Sequence, residues 1–432
     1  MPRFQTVRGM RDLLPVNARK LRHVQSVSKE IAESYAFEEI ITPLVEHYNL
    51  LAAKSGQEIG ARMYVFNDLG DRKVVLRPEF TASVARLIAT SLRNEPKPLR
   101  LFSTGSVYRY DEPQFGRYRE FWQSNYEIIG SARPEADVEV LSLTNQLLRR
   151  IGLRDYRFRI GHVGILRGLM SDEGVDDREQ NNIMHLLDTK RVPEALSALR
   201  NLQVSEKGES AFKRIIKTKG SSADSILDET KRDLKEYSDS VESVENLRQI
   251  LELCREGGEK LALSIETGFA RGLEYYTGMI FEPLVSQMEI SLGGGGRYDR
   301  LVEIFGGEPS PAVGVAIGLD RVILAADRQK IASELHKRTL AVIPIGDRVL
   351  PKAIGLASQL RNKGIIVELE IMGRTVARAL KHAARRNITY ALILGPKELK
   401  AGKLILRDMR SREQRLIPVE GVFTELQKEQ FD

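Results

Sequence analysis

Two β-patterned runs, LRLFSTGSVYRY and REFWQSNYEIIG, flank a polar loop at 111–118, and together they constrain the fold more than any other stretch of the chain. Runs this close in sequence pair as a long hairpin, so an antiparallel sheet must form around them. Strand alternation places Phe121, Gln123, Asn125 and Glu127 on one face. Arg109, on the partner run, is within reach of the same surface. A solvent-facing polar side of a sheet would also alternate in this way. An Arg, a Gln and a Glu converging among aromatics fit a polar site better.

The neighbouring sequence extends the picture. Residues 17–35 carry helical periodicity, and FEEIITPLVEHYNLL reads as a strand interrupted by Pro43, which cannot donate to a central ladder. From 62 to 130 short runs (YVFND, KVVLRPEF and the hairpin) predict one antiparallel sheet, with a helix at TASVARLIATSLRN. Residues 168–250 are polar and helix-patterned, with soft breaks such as KGSSADS, and predict an inserted helical domain. Strands resume at LALSIETGF, GMIFEPL and MEISLGGGG, and a helix follows at GLDRVILAADRQ. After Lys337, RTLAVIPIG, a helix at 349–363, GIIVELEI, a helix at 375–386 and YALILGP spell βαβαβ, a separate α/β domain.

Two further segments carry chemistry. ARGLEYYTGMIFE (270–282) precedes GGGGRYDRL (293–301). The glycine tetrad lacks the Lys-Ser/Thr and the helix opening of a phosphate loop. It reads instead as a strand on whose backbone something packs closely. In AVGVAIGLDRVILAA (312–326) a small-residue strand enters a helix with Arg321 in its first turn. A cation there is disfavoured by about 0.3–1 kcal/mol, and a bound anion would reverse the sign. An arginine that snorkels outward fits that segment equally well.

Charge and cysteine content narrow the setting. The chain of 432 residues carries +7 overall, but Arg338–Arg415 alone holds seventeen Lys/Arg against six Asp/Glu, an excess of +11. A basic excess confined to one end points to a polyanion-binding module beside a more neutral body. One cysteine, Cys254, excludes an internal disulfide framework and a cysteine-rich zinc site. No run approaches eighteen apolar residues and the N-terminus lacks a secretory stretch, so no membrane role and a cytoplasmic location are expected.

In this order the segments resemble the class II aminoacyl-tRNA synthetases: motif 1 around Pro43, motif 2 in the hairpin with Arg109, motif 3 in GVAIGLDR with Arg321. RGLEYY and GGGGRYD are similar to the two signature peptides of the histidyl-tRNA synthetases, and RGMRDLLP and LRPEFTASVAR also match. The resemblance implies an α+β fold. A class II antiparallel-sheet catalytic domain (1–167 and 251–330) would carry a helical insertion (168–250), followed by an α/β anticodon-binding domain (337–432).

The resemblance also implies histidine activation by ATP, transfer to a histidine tRNA, Mg2+ at the outgoing pyrophosphate, and a homodimer. Glu79, Thr81 and Gln123 would hold the α-ammonium of L-histidine. Glu127 and Tyr276 would bracket its imidazole, and Tyr298 would close the pocket. Arg109, Asp111 and Arg321 would bind ATP, with Arg109 and Arg271 catalytic at the α-phosphate; metal ligands are not implied. Two positions depart from many bacterial members: Asp111 replaces a glutamate, and Glu112 replaces an arginine. Arg374, Arg378, Lys381 and Arg385 form a basic stripe suited to phosphates. Of two rivals, a histidine-binding regulatory subunit of ATP phosphoribosyltransferase would lack the C-terminal domain, and RGLEYY with Glu127 opposes another amino-acid specificity.

Overall fold

The hairpin forms as the alternation requires. The computed structural model describes residues 4–54, 62–271, 275–286, 290–331 and 339–428. In it Leu99–Tyr108 and Glu120–Ile129 pair antiparallel, from Leu99 opposite Ile129 to Tyr108 opposite Glu120. The sheet continues through Ala312–Gly318, Gly293–Arg297, Met279–Val285, Arg157–His162, Leu263–Glu266 and Lys219–Gly220, and Glu38–Glu39 edges the far side. Among the described strands of this sheet, only the Glu38–Glu39 pairing and the one between Arg157–His162 and Leu263–Glu266 are parallel.

Two helices cover this sheet because their apolar residues recur at helical spacing. Pro15–Ser34 buries Leu21, Val24, Val27 and Ile31, and Pro134–Ile151 buries Val140, Leu141, Leu147 and Leu148. Each starts with proline, whose missing N–H costs nothing in a first turn. Burying each such aliphatic side chain contributes about 1.5–3 kcal/mol. The helices between Val163 and Glu256 feed Ile183, Leu199, Phe212 and Leu247 into the same apolar cluster as the sheet.

Three elements differ from the sequence expectation. The stretch 62–130 does not make one sheet: Val45–His47, Lys73–Leu76 and Tyr64–Asn67 form a separate three-stranded sheet. Pro43 separates Glu38–Glu39 from Val45–His47, and the helix Thr81–Ala89 carries the chain from the small sheet to the large one. Within KGSSADS lies Lys219–Gly220, a two-residue strand too short for any periodic signal. Beyond βαβαβ the chain adds Lys403–Asp408 and Gln414–Pro418, giving the order Ile366–Leu369, Thr339–Pro344, Tyr390–Leu394, Lys403–Asp408, Gln414–Pro418.

The chain divides into two compact units between residues 332 and 333. In the second unit alternation again decides the packing. Leu340 and Val342 face Leu356 and Leu360 on one side, while Ala341 and Ile343 face Ala379 and Ala383 on the other. No described helix is long and apolar enough to cross a membrane. Lys337 and Arg338 lie outside the described residues.

Candidate active site

A cavity of about 360 Å3 opens over the large sheet, and all ten residues singled out by the resemblance line it. At one end stands Glu127, 2% exposed. The Thr81 hydroxyl donates to its Oε1 at 2.8 Å, and the Tyr298 hydroxyl donates to its Oε2. Asn125 Nδ2 lies 3.4 Å from Oε1, on the face that alternation assigned to it. Tyr275 packs on Tyr276 at 4.7 Å between ring centres and edge-on to Tyr298 at 5.6 Å. Burial, then the nearby carboxylates and phenols, push the Tyr275 and Tyr298 hydroxyls well above their ordinary pKa, so both remain donors. Gly314 pairs opposite Glu127, and a Cβ there would sit 1.6 Å from Oε2. The carboxylate therefore explains the small residue in that strand.

Two acceptors beside Glu127 are buried without a partner among the described residues: Gln123 Oε1 and Asn125 Oδ1. Leaving such a group unsatisfied costs about 1–3 kcal/mol, so a donor is called for here. Glu79 accepts the backbone N–H of Thr81 at 2.8 Å and of Ala82 at 3.0 Å, at the start of the Thr81–Ala89 helix.

The other end of the cavity is crowded with guanidinium groups. Arg109 Nε donates to the Pro78 carbonyl at 2.9 Å, with its guanidinium 5.3 Å from the Phe121 ring centre. Arg321 holds the carbonyls of Ser291 at 2.8 Å and Gly116 at 3.3 Å. Arg271 donates to the Phe281 carbonyl at 3.2 Å and lies 3.7 Å from Glu282. A Cβ on Gly294 would stand 1.4 Å from Arg271 Nη1, so what packs on the glycine strand is this guanidinium. Burial lowers the Arg109 pKa, and burial plus the like charges of Arg117 and Arg109 lowers that of Arg321.

Asp111 is buried, which raises its carboxyl pKa, but the 2.6 Å hydrogen bond from Arg62 and the charges of Arg62, Arg109 and Arg117 bring it below the usual range. Glu112 is exposed and pairs with Arg8 at 2.8 Å. Arg62, Arg117, Tyr275, Asp188, Glu282 and Asp320 also line the cavity, and the sequence reading gave them no role. Of RGLEYY, Gly272, Leu273 and Glu274 lie outside the described residues. Among those described, no three His, Cys, Asp or Glu converge as a metal site.

In the second unit Arg378, Lys381 and Arg385 are exposed on the helix Val376–Arg385. Arg374 does not extend that stripe as expected. It precedes the helix cap, Thr375, and is turned back onto Glu370 at 2.8 Å.

A family model described as histidyl-tRNA synthetase matches residues 9–322, and one described as an anticodon binding domain matches 339–429. The histidine–tRNA ligase of Methanocaldococcus jannaschii is 42% identical over 419 residues, 96% of this chain and 98% of the relative. That of Saccharolobus solfataricus is 37% identical over 424 residues, 98% of each. Among solved structures, a histidyl-tRNA synthetase from Nostoc sp. PCC 7120 matches with a TM-score of 0.82 at 24% identity, covering 99% of this chain and 100% of that one. A protein titled ATP phosphoribosyltransferase regulatory subunit/histidyl-tRNA synthetase from Bacillus halodurans matches with 0.78 at 24% identity, covering 90% and 98%. At that identity the structures establish shared fold alone. The family model and the near full-length relatives go further: the chain belongs to the histidyl-tRNA synthetase family.

Proposed function

We propose that this chain is a histidine–tRNA ligase, which joins L-histidine to ATP as an adenylate and passes the histidyl group to the terminal ribose of its tRNA. The observation that carries this reading is the single cavity that holds Glu127 in one half and the arginines in the other. Glu127 is a buried carboxylate held in place by Thr81, Tyr298 and Asn125, and a carboxylate accepts at about four sites. The imidazole N–H docks there, and the Tyr276 phenol serves the other ring nitrogen. The α-ammonium goes to the unpaired Gln123 oxygen, with Glu79 and Thr81 beside it. A site built on paired hydrogen bonds rejects amino acids that lack them, so editing is unnecessary.

Arg109 and Arg271 take the α-phosphate, Arg321 the γ-phosphate, and Asp111 the nucleotide, its reach fixed by Arg62. A histidine carboxylate oxygen attacks the α-phosphorus, and the bond to pyrophosphate breaks. Guanidinium groups already in place stabilise charge on the equatorial oxygens as it develops. A ribose hydroxyl then attacks the acyl carbon and AMP leaves. Asp111 is taken up by Arg62, and Glu282 is paired with Arg159, so Mg2+ fits this cavity as an ion carried in on the phosphates, as is usual for it. Such an ion would neutralise pyrophosphate charge.

Exposed apolar residues flank Pro43: Ile41, Leu44 and, on the small sheet, Val45 and Phe66. That patch supports a homodimer through the motif 1 region. A cytoplasmic setting, where thiols stay reduced, suits a chain whose one cysteine is buried. The regulatory-subunit alternative is disfavoured by Arg271 in the cavity and by the basic second unit.

Pyrophosphate exchange measured with each of the twenty amino acids tests the reading. Only histidine should support exchange. Exchange with another amino acid, or with none, would overturn it.

A further inference from the structure

The segment RGMRDLLP has no part in the chemistry above, yet its Arg11 contacts Tyr118 and Asp320, which line the cavity. The loop between the hairpin strands is held at several points. Its backbone is tied at the base by Arg109 N–H to the Arg119 carbonyl at 2.9 Å and Tyr110 N–H to the Arg62 carbonyl at 2.7 Å. Its tip closes on itself through the Gln114–Arg117 bridge. Arg62 and Arg8 pair with Asp111 and Glu112 near that base, and two further arginines fasten its 116–118 side from outside. One is Arg321, on the Gly116 carbonyl. The other is Arg11, whose guanidinium lies 3.5 Å from the centre of the Tyr118 ring.

Arg11 simultaneously ion-pairs with Asp320, the residue before Arg321 in the helix Leu319–Arg328. Asp320 in turn accepts the Trp122 backbone N–H at 2.7 Å, at the start of the return strand. The segment is itself seated: Arg119 N–H donates to the Gly9 carbonyl at 2.9 Å. Gly9 has φ +82°, and a Cβ there would meet Arg119 Cγ at 2.7 Å. Only glycine fits this turn so close to the loop.

We propose that Arg11 is a positioning residue that clamps the hairpin loop to the start of the Arg321 helix, presetting Arg109, Arg117 and Arg321 for the triphosphate. The inference rests on the ligase reading for the identity of the nucleotide but not for the clamp. When Arg321 turns to a phosphate it gives up the Gly116 carbonyl, and Arg11 on Tyr118 then remains as the side-chain hold on the 116–118 side, while Arg62 and Arg8 hold 111–112. Arg11 has a second effect. The Asp320 side chain is only 7% exposed and lines the cavity, so without its cation it presents an uncompensated carboxylate to an incoming polyanion. Loss of Arg11 therefore acts on nucleotide and leaves the Glu127 end untouched.

Full-length Arg11→Ala, Arg11→Lys and Arg8→Ala variants test this. The first removes stacking and charge; the second restores charge toward Asp320 without the planar stack; the third removes an exposed ion pair. Amide hydrogen exchange over 110–119 reports the clamp, pyrophosphate exchange gives the KM for ATP, and calorimetry gives the histidine Kd. Arg11→Ala should speed amide exchange over 110–119 and raise the KM for ATP roughly tenfold or more, a charge-assisted contact being lost. Histidine affinity should stay within about twofold, Arg11→Lys should recover part of the loss, and Arg8→Ala, which leaves the Tyr118 and Asp320 contacts in place, should match wild type in the KM for ATP. Unchanged amide exchange over 110–119, or parallel losses for ATP and histidine, would overturn the clamp. If Arg11→Ala does not fold, Arg11→Lys is read by the same criteria at smaller amplitude. Should wild type show no histidine-dependent activity, the ligase reading fails and amide exchange still decides the clamp.

Discussion

Arg271 occupies the space that a side chain on Gly294 would need, held by the Phe281 carbonyl and facing Glu282. A guanidinium kept in place before the nucleotide arrives acts mainly on charge that develops in the transition state. Arg271→Ala should therefore leave histidine affinity nearly unchanged and slow adenylate formation by two orders of magnitude or more, since one such donor is worth roughly 3–4 kcal/mol. Pre-steady-state formation within a few-fold of wild type would remove Arg271 from that role. At this scale the glycine tetrad was legible as a close approach, but not what approaches, because Arg271 is more than twenty residues away in sequence. Arg62, Arg117 and Asp188 were illegible for the same reason. A lone charged residue in a loop, or at a helix end as Asp188 is, has no period, and only the fold brings it to the cavity. Gln123 and Glu127 were legible because alternation in one strand suffices to aim them.

The helix Val163–Asp172 begins with a histidine as its cap, an element boundary that the sequence reading passed over. His162 accepts the Gly164 N–H through Nδ1 at 3.1 Å, and burial lowers its pKa from 6.5 to about 4, against a hydrogen bond with Asn246 and with help from Arg297. The unfolded chain thus binds more protons than the folded one between those values. Stability must fall as pH drops through that window, by on the order of 3 kcal/mol in all. Asparagine also caps helices well. Between pH 7 and pH 5, denaturant titration should show wild type losing about 2 kcal/mol more than His162→Asn; equal losses would mean that His162 is not the acid-sensitive group. Long periodic elements, the hairpin and the paired helices of the second unit, were legible. Short ones were not. Lys219–Gly220 is defined by its partner Leu263–Glu266, and the three-stranded sheet by the break at Pro43, neither of which leaves a pattern along the chain.

At the scale of the whole molecule, the apolar patch at Ile41, Leu44 and Phe66 and the uneven charge lead to separate expectations. Equilibrium sedimentation should find a dimer, and charge introduced at Ile41 (Ile41→Asp) should shift it toward monomer; a stable, fully active wild-type monomer would remove the motif 1 interface. Charge bears on the division of labour. Every residue assigned to histidine or ATP lies between Glu79 and Arg321, within the unit that ends at residue 332. The +11 excess lies wholly beyond Lys337, and Arg378, Lys381 and Arg385 stand exposed on one helix there. Phosphate contacts supply much of nucleic-acid affinity and make it steeply salt-dependent. A chain truncated near Lys330 should therefore fold, since the larger sheet and its covering helices are intact, and should still catalyse histidine-dependent pyrophosphate exchange. It should charge tRNA poorly, with a flattened dependence of tRNA affinity on salt. A circular-dichroism melt accompanies the kinetics, so that a loss of stability is read apart from a loss of tRNA binding. A well-folded truncation that charges tRNA with unchanged kcat/KM would show that the basic unit does not read tRNA. Loss of exchange and charging together, in a chain that melts like wild type, would place part of the small-molecule site beyond residue 332.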